Sequence, residues 1–248
     1  MAVEPISLIP AEGAGRGMLR CRDARSGCTI LIGPPAADPR LWREYLDGAL
    51  EVYRSFGAEE AVEYDAWLDG RTTSLFCVAL DSDGRVVAGV RAEGPHRHVD
   101  QVHAVRSWAG RQGDAAFRKM VADQIPSGVV EAKTGWVARD AEHRHALADW
   151  VARAIVQSAL LLGVRYSTGI APSHVLDRYA SSGMKVVWWV PSSGYPNERY
   201  ITHPVWWDMQ TYKSVGTPEQ VRLIEAEMAE LTAGGTVHRT RGEGLAQA

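Results

Sequence analysis

The chain has 248 residues, of which 46% are hydrophobic and 23% charged, so it falls in the globular range and is neither disordered nor fibrous. A net charge of −3 with no basic stripe argues against a nucleic-acid partner. Three cysteines (Cys21, Cys28, Cys77) without CxxC spacing fit a reducing compartment better than a disulfide framework. The first residues show no basic region followed by an apolar run, and the longest apolar stretch, 159–164, is far too short to cross a bilayer. The expected location is the cytoplasm. Tryptophan is unusually abundant: nine, against three phenylalanines, with the pairs Trp188-Trp189 and Trp206-Trp207. Such residues build either a rigid cavity wall or simply a tryptophan-rich core.

Along the chain, residues 1–27 carry Gly, Ala and Arg without periodicity and read as an irregular arm. Cys28 to Ile32 reads as a short strand stopped by Gly33-Pro34-Pro35. Asp38-Pro39 then supplies an N-cap and a first-turn proline for a helix that carries Leu41, Trp42, Tyr45, Leu46, Ala49, Tyr53 and Phe56 on one face. Thr72–Leu80 and Arg85–Arg91 form a hairpin around Asp81-Ser82-Asp83-Gly84. The stretch from Gly94 to Pro126 suggests a short helix within a longer connection.

Gly128–Val137 reads as a strand, and Asp140 as the cap of a long helix with Leu147, Trp150, Val151, Ala154, Ile155, Ser158 and Leu162 on one face. Val164–Ile170 is the next strand. Pro172-Ser173 opens a helix that Gly183 closes. The segments MKVVWWV and ERYITHPVWW supply two last strands around a PSSGYPN loop, and a polar helix starts near Thr217-Pro218. Hairpins mixed with βαβ units imply an α+β fold with a mixed, mostly antiparallel sheet and helices on both faces. We divide the chain into an arm (1–27), a catalytic-type domain (28–210), and a C-terminal helix with a flexible tail (211–248).

This order resembles the GNAT superfamily of acyltransferases, and two regions carry the resemblance. The first is 128–190, where APSHVLDRYASSGMKVV is similar to the final α/β unit, with Tyr179, then Gly183, then Met184 opening the next strand. The second is the front: Tyr53-Arg54, Glu63-Tyr64-Asp65, Leu68-Asp69, a hairpin ending at Arg91, and the strand glutamate of Val130-Glu131. These resemble autoinducer (acyl-homoserine-lactone) synthases and long-chain N-acyl amino acid synthases. Two departures stand out. The Gln/Arg-x-x-Gly-x-Gly/Ala loop of acetyltransferases is replaced by VARDAEHRHALAD, and Thr134 stands where autoinducer synthases carry an Arg.

The resemblance implies N-acyl transfer from acyl-CoA or acyl carrier protein to the amine of a small acceptor, with an amino acid as one candidate. Glu131 would act as base and Tyr179 as the acid for the leaving thiolate. Strict alternation puts Glu131 on a face with Val129, Lys133 and Val137, opposite Val130, Ala132 and Trp136. A solvated strand face with Glu131 paired to Lys133 is the plain alternative, and for Tyr179 it is ordinary core packing. The start of the long helix, with Arg139, His143 and Arg144, would receive a phosphate of the donor. Arg54 and Arg91 would hold an acceptor carboxylate or organise Asp65 and Asp69, and Trp136 would line the substrate site. The crowding of tryptophans in the last strands leans towards a longer acyl chain. His96, His98 and His103, and His143 with His145, lack the spacing of a metal site, so none is expected. GxSxG and Walker-type loops are absent. The rival class is a GNAT-like module without catalysis, and the stripe Val221, Ile224, Met228, Leu231 offers either intramolecular packing or a partner surface.

Overall fold

The computed structural model describes residues 17–233. The expected irregular arm over 1–16 and the expected flexible tail over 234–248 lie outside the described residues. The first element is already a strand. β1 (Leu19–Arg22) pairs antiparallel with β2 (Thr29–Gly33), so part of the segment read as an arm is the edge of the sheet. α1 (Pro39–Ser55) starts where the sequence places it, with the Asp38 carboxylate accepting from the Leu41 N–H at 2.9 Å. A single turn, α2 (Tyr64–Trp67), leads into the hairpin β3 (Thr73–Leu80) and β4 (Val86–Glu93).

The connection after β4 holds two helices, α3 (His103–Ser107) and α4 (Asp114–Gln124). Then come β5 (Val129–Val137), α5 (Arg144–Leu161), β6 (Tyr166–Pro172) and α6 (Leu176–Ser181). β7 (Lys185–Val186) and β8 (Ser193–Gly194) are two-residue pieces, and β9 (Ile201–Asp208) is long. α7 (Tyr212–Val215) and α8 (Pro218–Ala233) complete the described chain.

Among the described residues the strands form one sheet in the order β1-β2-β3-β4-β5-β6-β9-β7, with β8 also on β9. Every pairing is antiparallel except β5 with β6, the pair joined through α5. α1 packs on one face, where Leu41, Trp42, Tyr45 and Leu46 meet Phe76 and Val78 of β3. α3 and α4 cover β5 and β6 on that same side through Val105, Trp108, Phe117 and Val121, which cluster with Val129. α5 and α8 close the opposite face over Ile30, Leu75, Cys77 and Val205. All three cysteines are free and buried. Among the described residues no helix is long and apolar enough to cross a membrane.

Two expectations about single elements fail. The strand expected over MKVVWWV stops after Val186: Trp188 is 81% exposed and Trp189 turns outward beside it, stacked edge-on. α5 begins at Arg144 rather than near Asp140. The Asp140 carboxylate is taken by Arg85 at 2.7 Å, and His143 takes a left-handed conformation (φ 57°) that bars the helix from starting earlier.

The C-terminal helix is bound into the core. Arg153 of α5 is fully buried and donates to Asp23 (2.7 Å), Glu227 (2.9 and 3.0 Å) and Gln220 (2.8 Å), tying the start and the end of the described chain to the central helix. Ile224 and Leu231 of the apolar stripe are fully buried beside it, so that stripe is intramolecular packing. Two carboxylates around one guanidinium leave an excess of negative charge, and burial pushes the Glu227 pKa up although Arg153 opposes it. Replacing Arg153 with Met strands both carboxylates. It should cost about 3–5 kcal/mol in a urea unfolding series, whereas the surface pair Lys119–Asp123 should be nearly silent when broken.

Candidate active site

β5 is interrupted at its centre. Thr134, a β-branched residue, has φ 54°, and the β4–β5 register jumps between the pairs Arg91–Lys133 and Gly89–Trp136. This is a bulge: one extra residue sits on β5, the strand bends, and facing reverses. Two tyrosines of α1, Tyr45 buried and Tyr53 partly so, stabilise it, the Tyr45 hydroxyl donating to the Thr134 carbonyl (2.8 Å) and that of Tyr53 to the Gly135 carbonyl (3.3 Å). The strict alternation expected from sequence therefore fails. Trp136 lies on the α1 side among Tyr45 and Trp67, the side that Glu131 and Lys133 also face, while Val137 packs towards α5.

The sheet opens just ahead of the bulge. β5 and β6 are paired only from Val129–Tyr166 to Glu131–Thr168, after which a cleft of about 430 Å³ runs between them. Val52 and Tyr53 of α1, with Phe56 just after it, wall the cleft on one side, and Val151, Ile155 and Tyr179 on the other. Gly135 keeps it open: a Cβ there would sit 3.1 Å from the Tyr179 hydroxyl and 3.3 Å from Val151.

One end of the cleft is polar, lined by His103, Glu131, Lys133 and Tyr195. Glu131 is 1% exposed, and its two oxygens each accept a backbone N–H, from His103 and Ala104, both at 2.7 Å. Burial pushes its pKa up, with Lys133 and the two N–H donors pulling the other way. Lys133 has its ammonium 3.6 Å from Glu93 and 5.1 Å from the Trp67 ring. Burial lowers its pKa, partly offset by Glu131. Behind it Arg91 is 1% exposed, bonded to Glu93 (2.5 Å) and Thr73 (2.9 Å) and covered by Trp67 at 3.9 Å. Burial works against the Glu93 carboxylate, but Arg91 and Lys133 outweigh it and hold its pKa below the usual value. Two cations and two carboxylates thus balance in one buried group.

Burial pushes the Tyr179 hydroxyl up to about 12, so it stays protonated at neutral pH. The mouth on the α5–α6 side is basic, with Arg144, His174 and Arg178 lining it and Arg178 steadied by Asp149 at 2.9 Å.

Of the residues singled out from sequence, Glu131, Trp136, Arg144 and Tyr179 meet at this cleft. Arg54, Asp65, Arg91, Arg139 and His143 do not line it. Arg54 and Asp65 are exposed, and Arg91 is sealed beneath Trp67 with Glu93 as its partner. Asp69 pairs with Arg71 at 3.3 Å rather than with Arg54 or Arg91. His143 is exposed beside Glu142, and Arg139 stacks on Phe56 at 5.8 Å, on the far side of Trp136. Of the nine tryptophans Trp136 and Trp207 line the cleft, so one member of the crowd in the last strands reaches its wall. Lys133, Tyr195, His174 and Arg178 received no role from the sequence, and His103 was weighed only as a metal ligand. Lys133 alone had a signal, its alternation with Glu131. Among the described residues no group of His, Cys, Asp and Glu is assembled that could hold a metal ion.

His103 gives the site a measurable signature. Burial lowers its pKa to about 4, from 6.5 for an unperturbed ring. Between those values the unfolded chain binds the proton and the folded chain does not, so this contribution is intact above about pH 6.5 and is lost as pH falls towards about 4. Unfolding free energies measured across that window should fall less steeply for His103→Gln than for the parent chain.

No family model matches the chain. Uncharacterized proteins of Mycobacterium tuberculosis (Rv1356c, strain H37Rv) and Mycobacterium bovis (Mb1391c) are 44% identical over 204 residues, covering 82% of this chain and 78% of theirs. Among solved structures the fold is similar to the acyl-homoserine-lactone synthase LasI (TM-score 0.54, 13% identity, 77% of this chain and 97% of that one). It is also similar to FeeM, an N-acyl amino acid synthase from uncultured soil microbes (TM-score 0.51, 13% identity, 78% and 96% covered). A third is the CoA-dependent acyl-homoserine-lactone synthase BjaI (TM-score 0.51, 14% identity, 86% and 90%). At such identities the likeness speaks for the fold alone, and that fold is GNAT-like. The chain belongs to the family of the uncharacterized mycobacterial proteins Rv1356c and Mb1391c, built on the mixed α+β sheet of the GNAT acyltransferases.

Proposed function

We propose that this protein is an N-acyltransferase that moves an acyl group from acyl-CoA or an acyl carrier protein to the amine of a small acceptor such as an amino acid. The observation that carries the reading is the edge of β5 within the cleft. Its ladder with β6 ends at the Glu131–Thr168 pair, and from Ala132 onward the edge borders an apolar space with a basic mouth. An extended donor arm bearing amides can add to such an edge as a further strand. Its phosphate would meet Arg144, His174 and Arg178, and its acyl chain would lie among Val52, Tyr53 and Phe56. A cytoplasmic location fits such donors.

The acceptor amine would enter at His103, Glu131, Lys133 and Tyr195. Glu131, with a raised pKa, would take the amine proton, and the protonated Tyr179 hydroxyl would supply one to the departing thiolate. A second reading, a binding module without catalysis, is favoured by one fact: both Glu131 oxygens already hold backbone N–H groups.

Mass spectrometry of products from purified protein, a range of acyl-CoA and acyl carrier protein donors, and pooled amino acids and amines separates the two. The transferase reading expects an acyl-amine whose rate of formation drops roughly 100-fold or more in Tyr179→Phe and sharply in Glu131→Gln, with both variants shown to be folded. Gly135→Val should depress activity with every donor, because its side chain would press on Tyr179 and Val151 in the cleft. No product from any donor with the folded parent protein would leave the binding-module reading standing.

A further inference from the structure

A second cavity, of about 630 Å³, lies beyond the α1 side of the cleft, walled by α1, the β3–β4 turn and the end of β5. The two cavities share two lining residues, Val52 and Trp136. They differ in character. The cleft beside Trp136 is apolar, with Val52, Tyr53 and Val137, whereas the second cavity carries Glu44, Glu51, Asp83, Arg85 and Arg139. Trp136 is 4% exposed, and its six-membered ring is sunk into α1 at Gly48, where a Cβ would come within 2.3 Å of Cη2 and 2.6 Å of Cζ2. A glycine in the middle of a helix weakens it, and here the missing Cβ makes the notch that seats the indole.

We propose that Trp136, seated at Gly48, is the chain-length stop of the acyl cleft. The inference rests on the acyltransferase reading and adds to it the residue that selects the donor. An acyl chain entering along Val52 and Tyr53 ends against the indole. Past that point the space is lined by carboxylates and guanidinium groups, where a further methylene gains nothing by leaving water. The indole therefore keeps an apolar pocket from opening into a charged one.

The test is a plot of affinity against chain length, with saturated acyl-CoAs from butanoyl to hexadecanoyl titrated calorimetrically. Affinity should rise about fourfold per methylene, the equivalent of ~0.8 kcal/mol, up to a break where the chain meets Trp136. Trp136→Leu should move the break to longer chains. Gly48→Ala, which pushes the ring towards the cleft, should move it to shorter ones. Trp136→Phe, which keeps much of the bulk, should leave it closer to the parent than Trp136→Leu does. Each variant is first shown to be folded by its thermal melt, and if Trp136→Leu does not fold, the other two carry the comparison. A break at the same length in the parent and the folded variants overturns the proposal. The transferase reading fails separately, by absence of product. In that case the same break, read with free saturated fatty acids from hexanoate to hexadecanoate, must still move with Gly48→Ala or the length stop fails too.

Discussion

Thr134 stands in a left-handed conformation in the middle of the sheet, and the rest of the site follows from it. A β-branched residue there carries a strain of about 1–3 kcal/mol, and the hydroxyls of Tyr45 and Tyr53 hold the displaced carbonyls in place from α1. The extra residue turns Trp136 to the α1 side and lets β5 leave β6. Without it, alternation would carry Trp136 into the α5 layer and the two parallel strands could stay paired along their length. The cleft would then be a continuous sheet. One residue of register therefore converts a structural strand into a site.

The charge arrangement beside the bulge follows a second constraint. Arg91 and Lys133 are balanced by Glu93 and Glu131 in a region from which water is nearly excluded. The Trp67 ring covers both cations. The shifts of Lys133 and Glu131 both lean towards the neutral form, which is what desolvation does to an ion pair held too far apart to compensate fully. Arg91 is committed to Glu93 and Thr73, whereas Lys133 and Glu131 face the cleft. The group is therefore a buried foundation with two of its members turned towards the substrate space.

Local signals were legible in the sequence and long-range ones were not. Asp38-Pro39 announces α1 because a cap and a first-turn proline act within a few residues, and the Asp81–Gly84 turn announces its hairpin for the same reason. Asp140 misled because its carboxylate had a distant competitor, Arg85, across the hairpin. The bulge left no pattern either, since a Thr-Gly pair in a strand is unremarkable until its carbonyls meet α1. Glu131 and Tyr179 stood out by resemblance, while His103 and Tyr195 come from connections without periodicity and were brought to the cleft only by the fold. Arg91 looked like a ligand for a carboxylate, and it is one, but the carboxylate is Glu93 on its own strand.

The Arg153 clamp also bears on how the chain reaches its folded state. Asp23 is synthesised well before Gln220 and Glu227, with most of the sheet between them. Until α8 has left the ribosome, the buried guanidinium lacks two of its three partners, and the face of α5 that α8 covers stays open. Contacts spanning that much sequence close late and slowly. The nascent protein must therefore hold an unfinished layer until α8 emerges, and α8 acts as the latch that closes it.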